Sequence, residues 1–297
     1  MAFDFKGVVS ATITPLTQGG TDVDFDALRR YCDFLVSTGV QGIFICGTTG
    51  EGPMLSVEER KAIAKTVVQQ VGKRIQVIVH TGDITTRRTV DLSRHAQETG
   101  ADAVGVVLPY FHPLDEEALV EHFTRVAAAV PGFPVFIYNI PQYTVNNFTP
   151  SILAKILERV DNFAGMKTSN PDLFQLQEYV SLLGPGKSLF YGCDRLDLPA
   201  LAIGASGIIS GNASAFPEPF VKLFHAFERG DLKAAREQYA FNCQLAITLK
   251  DGRYPAIHKK ALEFRGVRGG QVRPPQRELF PEETEELRGA LQKMGML

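Results

Sequence analysis

The sequence predicts an α/β fold, a closed (β/α)₈ TIM barrel with a C-terminal helical extension, and three observations carry that expectation. About eight short β-branched runs alternate with amphipathic helical stretches through short loops. Runs such as VIV and VFIY are apolar at consecutive positions, as strands covered by helices on both faces require. Beyond residue 231 the strand pattern does not recur. Residues 1–230 are therefore assigned to the barrel and 231–297 to the extension, with no linker or low-complexity tract between them. A doubly wound open sheet is the alternative arrangement.

Taken in order, VVSATITPL (8–16) reads as the first strand and FDALRRYCDFLVSTG (25–39) as the first helix, its apolar stripe ending at Gly39. GIFICG (42–47) is the second strand. The next helix opens at the capping box Ser56-x-x-Glu59 and stops at Gly72. IQVIVHTG with TTRRTVDLSRHAQETG, and AVGVVLP with DEEALVEHFTRVAAAV, repeat the unit. PVFIYNIP precedes TPSILAKILERV, where Thr149 and Pro150 read as N-cap and first helical residue. FAGMKTS leads into PDLFQLQEYVSLLG, LFYGC into the short helix DLPALAIG, and GIISG into PEPFVKLFHAFERG. LKAAREQYAFNCQLAITL, YPAIHKKALEFRG and PEETEELRGALQKMG make up the extension.

The bulk numbers exclude several classes. The chain has 297 residues, 44% hydrophobic and 22% charged, enough for a sizeable core. Its formal net charge of −2, with basic residues spread along the whole length, argues against a nucleic-acid footprint or a polybasic membrane anchor. Apolar runs stay well short of the roughly 20 residues that span a bilayer. MAFDFKGVVSATITPL lacks the basic and apolar regions of a secretory leader. Cys32, Cys46, Cys193 and Cys243 are scattered without C-x-x-C spacing, which reads as free thiols in a reducing cytosol.

Parallel barrels carry their chemistry at the C-terminal ends of the strands. Here those ends supply Thr12 and Thr14, Gly47-Thr48-Thr49-Gly50-Glu51, His80-Thr81, Tyr110, Tyr138-Asn139, Lys167-Thr168-Ser169, Gly192-Cys193-Asp194 and Ser210-Gly211-Asn212. Lys167, at the end of an otherwise apolar strand, is the one lysine placed to face the barrel mouth. Free lysine titrates near 10.4, and burial can bring the amine to roughly 7–8, where it attacks a ketone to give a Schiff base. The iminium then acts as an electron sink for making or breaking a neighbouring carbon–carbon bond. Tyr138, at the end of the preceding strand, is placed to shuttle protons. Thr48 and Thr49, with N–H groups freed by Gly47 and Gly50, form an anion nest for a carboxylate. Plainer readings stand beside these: a solvent-exposed lysine, a tight turn at GTTGEG, a buried structural tyrosine. His80 and His112 lack the H-E-x-x-H or carboxylate company of a metal site, so no metal is expected.

GTTGE at 47–51, YNIP at 138–141 and the GMK lysine at 165–167 together resemble the pyruvate-dependent class I aldolase family, which includes dihydrodipicolinate synthase, N-acetylneuraminate lyase and 2-keto-3-deoxy-sugar-acid aldolases. The resemblance covers essentially the whole chain. It implies a barrel usually assembled as a homotetramer, small-molecule keto-acid and aldehyde substrates, and no cofactor beyond the covalent pyruvate imine. By position it implies Lys167 as the Schiff-base lysine, Tyr138 as the proton relay, and Thr48 and Thr49 as the carboxylate site.

Within that family the synthases usually carry an arginine shortly after Y-N-x-P and a second tyrosine in P-Y-Y that reaches across a subunit interface. This chain has Gln142 and Tyr143, then Phe111 after Pro109-Tyr110. KTSNPDLFQ and GCD instead resemble the lyases, which makes Ser169 and Asp194 substrate-binding candidates, and GIISGNAS adds Ser210 and Asn212 as polyol ligands. Arg195 stands where those lyases tend to have glutamate and suits a second acidic group, if it points inward. The expected function is a cytoplasmic Schiff-base lyase of 2-keto-3-deoxy acids. The alternatives are the synthase, a dehydratase using the same imine, and a non-catalytic keto-acid-binding barrel.

Overall fold

Eight parallel strands close on themselves in chain order, β1 Gly7–Ala11, β2 Gly42–Ile45, β3 Gln76–His80, β4 Ala103–Val107, β5 Val135–Asn139, β6 Phe163–Thr168, β7 Ser188–Tyr191 and β8 Gly207–Ser210. The computed structural model describes residues 5–297; the first four residues of the stretch read for a leader, which also open the span assigned to the barrel, lie outside that range. β8 pairs with β1 from Gly7↔Gly207 to Ser10↔Ser210, which completes the ring. The (β/α)₈ expectation therefore holds.

The helices are α1 Phe25–Ser37, α2 Val57–Val71, α3 Thr86–Glu98, α4 Glu116–Ala128, the single turn α5 Pro141–Thr144, α6 Pro150–Arg159, α7 Leu173–Leu183, α8 Asp197–Ile203 and α9 Glu218–Glu228, followed in the extension by α10 Leu232–Thr248, α11 Pro255–Phe264 and α12 Pro281–Lys293. Their starts follow the side chains. Ser56 and Glu59 make the expected capping box at α2, and Thr149 accepts from Ile152 N–H ahead of Pro150 at α6. No helix among the described residues is long and apolar enough to cross a membrane.

The first strand is shorter than its β-branched run suggests. It ends at Ala11 rather than residue 16: Thr12 N–H still donates to Phe44 O, but Thr14 Oγ1 turns to Gly50 O, and Pro15 has no N–H to offer a ladder.

Alternation along the strands sorts side chains into two cores. Outward residues such as Ile43, Val104, Ile137 and Met166 pack under the helices. Inward residues, among them Val9, Phe44, Ile78, Phe136, Phe190 and Ile209, fill the barrel. Phe190 lies 5.2 Å from the Phe5 ring and 6.1 Å from that of Phe136, and is fully buried. Phe190→Ala is expected to destabilise the fold by about 3–5 kcal/mol in a urea titration, since the barrel wall cannot collapse into the void. The floor of the barrel is thus solid, and its chemistry is confined to the mouth.

Candidate active site

A bulge in β6 decides where Lys167 points. Phe163 pairs with Val135, but Phe136 pairs with Gly165, so Ala164 is an extra residue. The side-chain sequence becomes Phe163 outward, Ala164 inward, Met166 outward. Strict alternation from Phe163 would turn Lys167 to the helices; the bulge turns it to the barrel. Gly165 permits this, with φ +149° and no room for a Cβ, which would sit 2.0 Å from Ser188 O. Gly165→Ala is expected to lower kcat by about 10²-fold or more by misdirecting the lysine, readable in a steady-state assay beside an unchanged far-UV spectrum.

Lys167 is 5% exposed. Its Nζ lies 4.0 Å from the ring centroid of Tyr138 and 4.7 Å from that of Phe44. These π faces attract a cation without binding it to a carboxylate. The same faces lie where an iminium charge would develop. Gly192 packs so close that a Cβ would meet Ser169 Oγ at 2.5 Å and Lys167 Cε at 3.2 Å. Tyr138, one strand over and paired directly with Lys167, stands edge-on to Phe44. Its hydroxyl is 3.4 Å from Thr48 Oγ1, which links the proton-relay candidate to the nest.

The GTTGE run folds into a tight turn. Glu51 N–H donates to Thr48 O and Gly52 N–H to Gly47 O. That turn leaves the N–H groups of Thr48, Thr49 and Gly50 without a backbone partner among the described residues. Thr48, Thr49, Tyr138, Lys167, Ser169, Asp194 and Asn212 line one cavity of about 780 Å³ at the barrel mouth. Gly47 and Ser210 do not line it. Gly47 belongs to the turn, where a Cβ would sit 2.8 Å from the Phe44 ring, and Ser210 is fully buried.

The distal candidates are more inward-turned than the polyol reading expects. Ser210 Oγ and Asn212 Nδ2 both donate to Asp194 Oδ2, at 2.6 and 2.7 Å, and Asn212 Oδ1 lies 2.9 Å from His258 Nε2. Ser210 and Asn212 therefore orient Asp194, which lines the cavity. Burial pushes the Asp194 carboxyl up to about 6, against the lowering effect of those two hydrogen bonds. Burial likewise pushes the Cys193 thiol up to about 12, an unreactive state for the sulfur that donates to Ser169 O. His80, packed on Phe44 and Tyr138, is held well below the histidine range by burial and by the Arg60 and Lys167 cations. Arg195 lines the cavity but is held by Asp251, at 2.9 and 3.1 Å, so its charge is already matched.

The whole chain has relatives of this architecture. Residues 4–294 match the model of the dihydrodipicolinate synthetase family. The chain belongs to that family. A 4-hydroxy-tetrahydrodipicolinate synthase of Methanopyrus kandleri is 34% identical over 297 residues, covering 100% of this chain and 99% of the relative. A prophage protein of E. coli K12 from the dihydrodipicolinic acid synthase family, solved in complex with pyruvate, superposes with a TM-score of 0.93 at 29% identity and 99% coverage of both chains. A catalytic-lysine mutant of a Ruminococcus gnavus sialic acid aldolase does so with a TM-score of 0.93 at 26% identity, covering 98% of this chain and 96% of that one. As a member of the dihydrodipicolinate synthetase family the chain is an enzyme, a pyruvate-dependent lyase of the Schiff-base aldolase class.

Two positions set this family member apart from the synthase pattern. Tyr143, at the position of the arginine, is 56% exposed on the cavity rim, and Gln142 turns its amide to Ser169 O. Phe111 holds a left-handed backbone, φ 81°, is 77% exposed, and does not line the cavity of its own chain. Sequence reasoning missed the rim contributed by the extension. Asp251, Gly252 and Arg253 line the cavity, and Arg253 has no acidic partner among the described residues. Lys250, Asp251 and Gly252 all hold positive φ, and in the sequence only the Asp-Gly pair at 251–252 marks this turn.

Proposed function

We propose that Lys167 condenses with pyruvate, and that the resulting enamine joins, or in reverse releases, an aldehyde. The observation that carries this is a buried lysine without an ion pair among the described residues, lying over the ring of a tyrosine whose hydroxyl reaches Thr48. Thr48 and Thr49 hold the pyruvate carboxylate. Tyr138 moves the proton as water leaves the carbinolamine, and takes the proton of the C4 hydroxyl as the carbon–carbon bond breaks. The bonding electrons pass into the iminium, giving the enamine, which picks up a proton to release pyruvate after hydrolysis. No organic cofactor or metal takes part in these steps. The enamine step is tested without any aldehyde: the enzyme in D₂O should exchange the methyl protons of pyruvate, followed by loss of the methyl NMR signal. Methyl protons that persist at the uncatalysed rate refute the imine.

For the aldehyde half, the synthase name carried by relatives such as the one from M. kandleri supports aspartate semialdehyde over the sugar-derived aldehyde placed first by sequence reasoning. Arg253 supports it too, as a rim cation in the absence of the usual arginine. The sugar-acid reading keeps one specific observation, the uncharged Tyr143 with Phe111. A panel of both aldehydes with pyruvate decides: kcat/KM for aspartate semialdehyde at least about tenfold above the sugar aldehydes establishes the synthase, and the reverse order the lyase. The dehydratase outcome would show as loss of a hydroxyl without aldehyde release. We place the enzyme in the cytoplasm as a homotetramer, with the four thiols free; size-exclusion chromatography with light scattering tests the assembly.

Asp194 gives the sugar-acid reading a pH signature. Its carboxyl sits near 6, so it is charged at pH 7.5 and neutral at pH 5. As an acceptor for a substrate hydroxyl it works only when charged. kcat/KM should therefore fall about tenfold per pH unit below 6, and that limb should vanish in Asp194→Asn.

A further inference from the structure

Lys259 lies in the extension, yet its side chain is 1% exposed. Its Nζ is 2.5 Å from Glu51 Oε1 and also donates to Gln271 O. Glu51 closes the GTTGE loop with a left-handed backbone, φ 58° and ψ 24°, a conformation unfavourable for a side-chain-bearing residue unless something holds it. Its other oxygen, Oε2, accepts from Arg273 N–H at 2.7 Å. The holding segment is itself pinned. A Cβ on Gly269 would sit 2.5 Å from Lys259 O, and one on Gly20 2.1 Å from Val272 O. Thr49, two residues before Glu51, touches the cavity. A buried lysine–glutamate pair is a weak source of net stability, because desolvation offsets its attraction. What it supplies is direction.

We infer that Lys259 is a positioning residue for pyruvate: by clamping Glu51 it fixes the turn that presents Thr48 and Thr49 to the keto-acid carboxylate. The inference rests on the carboxylate role given to those threonines under the proposed function. The extension then serves the active site twice, by lining its rim with Asp251, Gly252 and Arg253 and by holding the threonine turn through Glu51.

The pyruvate exchange reaction in D₂O tests this at the end of the cavity concerned. In Lys259→Gln, half-saturating pyruvate should rise about tenfold or more while the plateau exchange rate stays within about threefold, because the lysine and tyrosine are untouched. The double variant Glu51→Gln/Lys259→Gln leaves no orphan charge and should show the same split. An unmoved half-saturation in a folded variant overturns the inference, as does a fall in plateau rate alone. If neither variant folds, Lys259 serves stability and the inference falls. Absence of exchange in the unaltered enzyme would instead count against the imine reading itself.

Discussion

Lys167→Ala should reduce turnover by about 10⁴-fold or more, the scale on which a covalent nucleophile is missed. The loss should appear in kcat, because Lys167 is the one lysine among the described residues that line the cavity. Lys259, also buried, is committed to Glu51. The fold should survive: Lys167 has no ion pair among the described residues to break, and the space it vacates opens into the existing cavity. A melting temperature within a few degrees of the parent, measured by circular dichroism beside the kinetic assay, is the expected companion result. Retention of even a tenth of the parent activity would show that the amine is not the nucleophile.

Tyr138→Phe should have the second largest effect, about 10²–10⁴-fold in kcat. The substitution keeps the ring that lies edge-on to Phe44 and under the lysine, so packing and cation–π attraction are preserved. Only the hydroxyl facing Thr48 is lost. Pyruvate exchange should slow with it, since imine formation needs the same proton transfers. A variant with unchanged kcat would reassign the relay to another group and leave Tyr138 as packing.

What the sequence makes legible, and what it hides, divides along physical lines. The barrel is legible because strands covered on both faces must be continuously apolar, and the intervening helices announce themselves with caps such as Ser56–Glu59 and Thr149–Pro150. Lys167 is legible because GTTGE and YNIP accompany it; alone, the ammonium at the end of FAGMKTS also reads as a solvent-exposed strand end. The device that aims it is hidden: strict alternation from Phe163 would turn Lys167 outward, and only the pairing with β5 reveals Ala164 as the extra residue. Ser210 and Asn212 look like ligands as isolated polar strand-end residues, but their hydrogen bonds are spent on Asp194. Arg195 looks free until Asp251 is placed beside it. The extension hides most, since the contacts of Lys259 with Glu51 and of Arg253 with the rim join opposite ends of the chain, and no local pattern encodes such a meeting.

The central claim is a covalent pyruvate imine on one lysine. Incubation with pyruvate, reduction with borohydride and mass analysis of the peptides tests it most directly. A reduced pyruvate adduct on Lys167, dependent on pyruvate and absent from Lys167→Ala, is the predicted result. No adduct, or an adduct carried by another lysine while Lys167 stays unmodified, would contradict the account.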